Sequence, residues 1–332
     1  MFSQDRNPDA VWLNKLGNAA YQDNRHQESL AYFEKAVELS RKVGDIEGVY
    51  SNLGNIGSAY HAMGQSEKAR AYYEEALKIC REHPSSKRNL AANLSNLGTI
   101  QREFGLYQKA ISYLEEALPI FRELNEPALL AAHLESLGSS YSNVGYDEKA
   151  IQCLEEALKI RRELYRPIEV AGSLNALGSA YTFNNQSQKA VTYLQEALKI
   201  FQEADDTKGI AATLNNLGLA YVSLGQDENA VSLIEEAITR TRKQNSPRIL
   251  AIVLDSAGEI YGSIGQYYKA LPCLEESLKL ARELNSPGYI AAYLNKLGSK
   301  YSLLGEYDKA TTCLEESLKL SREFIPGLII TN

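Results

Sequence analysis

The sequence predicts an all-α protein, a superhelical array of eight helix-turn-helix repeats. Three observations predict it. A glycine, usually preceded by leucine, returns at Gly17, Gly57, Gly98, Gly138, Gly178, Gly218, Gly258 and Gly298, in steps of 40 residues with one of 41. Apolar residues within each period recur every three or four positions, the spacing of one helix face. A second series, Asn24, Gly64, Gly105, Gly145, Asn185, Gly225, Gly265 and Gly305, supplies only residues that tolerate a left-handed helix end.

The fourth unit shows how each element follows. Asn125-Glu126-Pro127 opens the first helix, with proline where its missing N–H is harmless. Leu130, Leu134, Leu137 and Tyr141 form its apolar stripe, and Gly145 stops it, giving a helix over 127–144. The second helix runs from 146 to about 164, burying Ala150, Leu154, Ala157 and Leu158 and turning Glu155 and Glu156 outward. A mid-helix glycine costs about 1 kcal/mol against alanine, so eight of them imply close packing. The small residues Ala150, Ala190 and Ala230, with Ser29 in the first unit, are the expected partners. The repeats run roughly over 8–44, 45–84, 85–125, 126–165, 166–205, 206–245, 246–285 and 286–325, with an apolar tail at 326–332 that matches the start of a further first helix. No unit can bury its apolar face alone, so 1–332 reads as one array.

Composition narrows the function. With 35 Lys+Arg against 42 Asp+Glu the net charge is −7, which gives no support for nucleic-acid binding. No run of about 18 apolar residues suggests a membrane span. The polar start Met1–Arg6 lacks a secretory core, and four cysteines are too few for a disulfide scaffold. A cytoplasmic protein with free thiols is expected, and Asn93-Leu94-Ser95 and Asn185-Gln186-Ser187 read as chance glycosylation patterns. His26, His61, His83 and His133 never pair at metal spacing, and Gly54-Asn55-Ile56-Gly57 lies mid-helix without the Lys-Ser/Thr of a phosphate loop. Neither catalysis, metal nor cofactor is expected.

The pattern Leu-Gly-x-x-Tyr, then Gly, Ala and Ala, carried in the sixth unit by Gly218, Tyr221, Gly225, Ala230 and Ala237, resembles the tetratricopeptide repeat. The period exceeds the common one of about 34 and is similar to the longer-helix subclass of Pins/LGN polarity proteins, kinesin light chains and bacterial signalling arrays. Ala20 and Gln101 depart from the expected tyrosine, and Ala257 from leucine. The resemblance implies a right-handed superhelical solenoid, a non-catalytic interaction scaffold, and a concave groove lined by first helices.

Carried over by slot, the groove residues three before each glycine are Asn14, Gly54, Ser95, Glu135, Asn175, Asn215, Asp255 and Asn295. Those just after it are Asn18, Ser58, Thr99, Ser139, Ser179, Leu219, Glu259 and Ser299. Each pair is four apart and shares a helix face. The asparagines can bond the backbone of an extended peptide; solvated helix residues are the alternative. Neither slot holds a basic residue, so a clamp for a C-terminal carboxylate is not expected. Glu135, Asp255 and Glu259 make the second half acidic, which favours a partner with Lys or Arg. Tyr21, His61, Arg102, Thr182 and Phe183 are larger candidates; Phe183 is an anchor or packs on the next unit. A protein or peptide partner is therefore expected, with two further readings open: a sensor module of a signalling protein, and self-association through the apolar C-terminal end.

Overall fold

The computed structural model describes residues 7–84, 86–243, 246–285 and 287–324. The tail at 326–332 lies outside them. Among the described residues there are sixteen α-helices and no strand. They form two compact units, divided after Tyr146.

The first unit holds α1 (Pro8–Gln22), α2 (His26–Val43), α3 (Ile46–Ala62), α4 (Ser66–Glu82), α5 (Lys87–Glu103), α6 (Tyr107–Glu123) and α7 (Pro127–Ser142). The second holds α8 (Asp147–Glu163), α9 (Pro167–Phe183), α10 (Ser187–Glu203), α11 (Thr207–Ser223), α12 (Asp227–Lys243), α13 (Pro247–Ser263), α14 (Tyr267–Glu283), α15 (Pro287–Leu303) and α16 (Tyr307–Phe324). Odd-numbered helices are the first helices of the repeats.

All eight positions of the Gly/Asn series are left-handed, with φ between +55° at Asn185 and +77° at Gly305. A second left-handed position, not anticipated, ends several second helices: Gly44, Asn125, Tyr165, Asp205 and Asn285. Within each unit a helix packs on the one before and the one after it, and alternate first helices also touch: α1 on α3, α3 on α5 and α5 on α7, then α9 on α11 and α11 on α13. Second helices reach each other through long side chains, as in Arg81–Glu116 and Arg242–Glu276. The first-helix side is thus the shorter, inner arc of each unit.

The mid-helix glycines do mark close approach to the expected alanines, with the Ala110 and Ala310 carbonyls 3.2 Å from where a Cβ at Gly98 and Gly298 would stand, and a bulky side chain comes closer still. A Cβ at Gly178 would stand 2.5 Å from Leu194 Cγ, and one at Gly258 would stand 2.5 Å from Leu274 Cγ. At Gly17, Gly57, Gly98, Gly178, Gly258 and Gly298 the bulky residue four after the small one is the knob that fills the glycine notch, whereas at Gly218 it is Ile260 of the next first helix. The alanines are fully buried beside it.

The Glu-Glu pair lies outward as expected, and it is also bonded to neighbouring helices. Tyr141 donates to Glu115 (2.6 Å), Tyr181 to Glu155 (2.8 Å), Tyr261 to Glu235 (3.0 Å) and Tyr301 to Glu275 (2.6 Å), each bond joining a first helix to the preceding second helix. The second glutamate accepts from arginine of the preceding repeat, as in Arg162–Glu196 and Arg282–Glu316. These carboxylates join repeats while remaining at the solvent surface.

Candidate functional site

The predicted slots lie on the first helices, and most of their residues are half-buried. In the first unit Asn14 Nδ2 on α1 donates to Asn52 Oδ1 on α3 (2.7 Å), and Asn18 Nδ2 donates to Asn14 Oδ1 (3.0 Å). Ser58 bonds the Gly54 carbonyl and pairs with the Tyr73 hydroxyl at 3.0 Å. Thr99 bonds the Ser95 carbonyl. Ser95 Oγ lies 3.0 Å from His133 Nδ1, while His133 Nε2 lies 2.9 Å from the Leu114 carbonyl. A carbonyl only accepts, so Nε2 carries the proton and Ser95 donates to Nδ1. Burial holds His133 well below its usual range, at about 4. Arg102 is half-buried, its Nε without a partner. Glu135 and Ser139 sit half-buried on α7.

Toward the end of the first helices, His61 Nε2 bonds Glu103 (2.8 Å), which also accepts from Ser66 (3.1 Å). Burial opposes the charge on Glu103, yet these two bonds hold its carboxyl below the ordinary range.

In the second unit Asn175 Oδ1 on α9 accepts from Asn216 Nδ2 on α11 at 3.0 Å. Asn215 Oδ1 is buried with no partner. Ser179 is half-buried, and Asn295 and Ser299 are exposed on α15. Phe183 is 64% exposed, so it stands clear of the next repeat.

Two expectations change here. The residue three before each glycine does not simply face outward: Asn14, Ser95, Asn175 and Asp255 each reach across to the next first helix. The acidity of the later slots is also compensated. Lys296 lies 2.8 Å from Asp255 and Lys300 3.8 Å from Glu259. Desolvation raises the Asp255 pKa, with Lys296 working against it. Gly262 gives Lys300 its path, since a Cβ there would stand 2.8 Å from Nζ.

The inner face includes a row the slots missed, two residues before each glycine. It holds Lys15, Asn55, Asn96, Ser136, Ala176, Asn216, Ser256 and Lys296. Exposed small residues six before the glycine, such as Ala92, Ala132 and Ala212, continue the same stripe at helical spacing. Helical phase alone could have located it. Among the described residues no group of three or more His, Cys, Asp or Glu could hold a metal, and the cysteines are free. No described helix is long and apolar enough to cross a membrane.

Known proteins share this architecture. Over 62 residues the chain is 34% identical to Response regulator aspartate phosphatase A of Bacillus subtilis (strain 168), a stretch that is 18% of this chain and 16% of that protein. The apo form of RapI superposes with a TM-score of 0.70 at 17% identity, over 83% of this chain and 98% of that one. The Rap conjugation gene regulator of the plasmid pLS20, in complex with the Phr* peptide, superposes at 0.62 with 15% identity, over 95% of each chain. At those identities the likeness concerns the fold. The tetratricopeptide repeat model matches residues 8–82, 48–123, 89–163, 129–203, 169–243 and 250–323. The first five of these matches overlap and start 40 or 41 residues apart, the step of the glycines, and the chain belongs to the tetratricopeptide repeat family.

Proposed function

We propose that the chain is a non-catalytic interaction scaffold that takes a peptide or partner segment along its first-helix face. Bonding capacity left over on that face carries the reading. Asn215 Oδ1 is buried without a partner, in a stripe of small polar side chains. By turning its amide out to the face Asn215 can meet a backbone N–H of an extended segment, and an unmet buried acceptor costs about 1–3 kcal/mol. Phe183 adds an exposed aromatic at one edge, the residue class that anchors interfaces.

A peptide-responsive regulatory segment is the second reading. The fold it shares with the Phr*-bound Rap regulator favours it.

Both readings place the partner on the same face, so one experiment tests both. Peptides selected from a random library against the chain should photo-crosslink to a benzoyl-phenylalanine at Asn216 and not to one at Lys199, exposed on α10. Asn215→Ala should weaken their capture about fivefold, the loss of one hydrogen bond of about 1 kcal/mol. Crosslinking through position 199 alone would move the site to the second helices.

A further inference from the structure

The junction between the first two repeats contains a polar cleft. Each junction sets a second-helix residue against one in the first turn of the next first helix. Along the chain these pairs are Ser40/Gly48, Cys80/Asn89, Phe121/Leu129, Arg161/Glu169, Phe201/Gly209, Thr241/Ile249 and Ala281/Tyr289. In all but the first, at least one member is large enough to fill the gap. Phe201 lies over the bare Cα of Gly209, and Arg161 pairs with Glu169. Serine against glycine leaves a cleft of about 100 Å³ between α1, the end of α2 and the start of α3.

Its polar groups are built in. Asp45 is 3% exposed and Ser40 is fully buried. Asp45 Oδ1 caps α3 by accepting from the Gly48 N–H at 2.9 Å, and Oδ2 lies over the Gly48 Cα, where a side chain would collide with it. Ser40 Oγ stands beside it with no hydrogen-bond partner. The amide donors of the wall are in use, Asn14 Nδ2 on Asn52 Oδ1 and Asn52 Nδ2 on the Gly48 carbonyl. What remains toward the cleft is the Asp45 carboxylate oxygen and the Ser40 hydroxyl, with Glu47 and the Ser51 hydroxyl also in the lining.

Acceptors beside a buried negative charge select a cationic donor and exclude anions. The volume corresponds to about three water-sized groups at ~30 Å³ each, enough for an ammonium and two methylenes. We propose that this cleft binds a primary ammonium group. A lysine tip, a peptide N-terminus or a free alkylamine presents that chemistry. The cleft adjoins the first-helix face but does not depend on it, and failure of peptide capture there leaves this proposal standing.

The test is an amide-resolved NMR titration of the whole chain at constant ionic strength with n-propylamine, N-acetyl-lysine methylamide, glycinamide, ethylguanidine and potassium chloride. Propylamine should shift the Gly48 and Asn52 amides saturably. A stronger response to the lysine derivative or to glycinamide identifies the source. Asp45→Asn, which keeps an N-cap acceptor, should weaken binding at least tenfold. Ser40→Ala should weaken it about threefold, and it serves as the independent check if Asp45→Asn lowers the melting temperature. Binding unchanged in both variants, or potassium or ethylguanidine acting as strongly as propylamine, would overturn the proposal.

Discussion

Two glycines of α9, six residues apart, answer to opposite demands. Gly178 faces the Leu194 side chain, and a Cβ there would stand 2.5 Å from Cγ. Gly178→Leu should overpack the hairpin and lower stability by about 1–3 kcal/mol, read from urea unfolding. Gly172 is exposed, helical, and has nothing within 4 Å of where its Cβ would be. Gly172→Ala should raise stability by about 0.5–1 kcal/mol through helix propensity. An equal effect of both changes would contradict the notch-and-knob packing. The recurrence of Gly178 and its counterparts is plain in the sequence, but the knob is not. Alanine and leucine both lie on the buried stripe of the second helix, and only side-chain direction decides which enters the notch.

Elements are joined by groups whose roles depend on a neighbouring helix. His133 links α7 to α5 through Ser95 and to α6 through the Leu114 carbonyl, with the Phe121 ring 4.6 Å from its own. Its folded pKa, about 4, lies below the ordinary 6.5. The folded state therefore favours neutral imidazole, and below pH 6.5 the unfolded chain binds the proton first. The stabilisation is complete above pH 6.5 and is lost as pH falls toward 4, by roughly 3 kcal/mol. Comparing urea midpoints at pH 7 and pH 4.5 should show this loss in the parent and a smaller one in His133→Gln. Helices and the Gly/Asn turn inside each repeat are legible from period and composition, because local chemistry sets them, whereas the left-handed ends at Tyr165 and Asp205 carry no such residue signal. The Tyr–Glu and Arg–Glu bonds between helices are not legible either. Glu155 and Glu156 look like ordinary solvated charges until Tyr181 is seen beside the first of them.

The whole molecule stabilises each repeat through its neighbours, and the last described repeat is the less covered one. The knob leucines Leu114, Leu194 and Leu274 are fully buried, whereas Leu314 is 39% exposed. No first helix follows α16 among the described residues. Amide hydrogen exchange should accordingly run faster in α16 than in α14, because fewer apolar contacts resist local opening; equal protection would contradict this. The candidate face was legible as a set of first helices, and helical spacing also gives the row that the slots left out. A reading centred three before each glycine catches residues such as Asn175 that lean on the next helix. The row carrying Asn55, Asn96 and Asn216 sits one position later. The Ser40/Gly48 cleft was hidden for a different reason, since each residue is unremarkable without its partner across the junction.

The tyrosine-to-carboxylate bonds join residues 26 positions apart wherever they occur. A constant offset makes the array editable in length. Excising forty consecutive residues, such as 206–245, brings Tyr261 to the same separation from Gln195 that Tyr221 now has, and Gln195 already bonds that tyrosine at 3.3 Å. Gain or loss of a whole cassette thus restores this bond, but the same excision sets Phe201 against Ile249 where Gly209 now leaves room, so that junction must repack before a shorter version of the architecture closes.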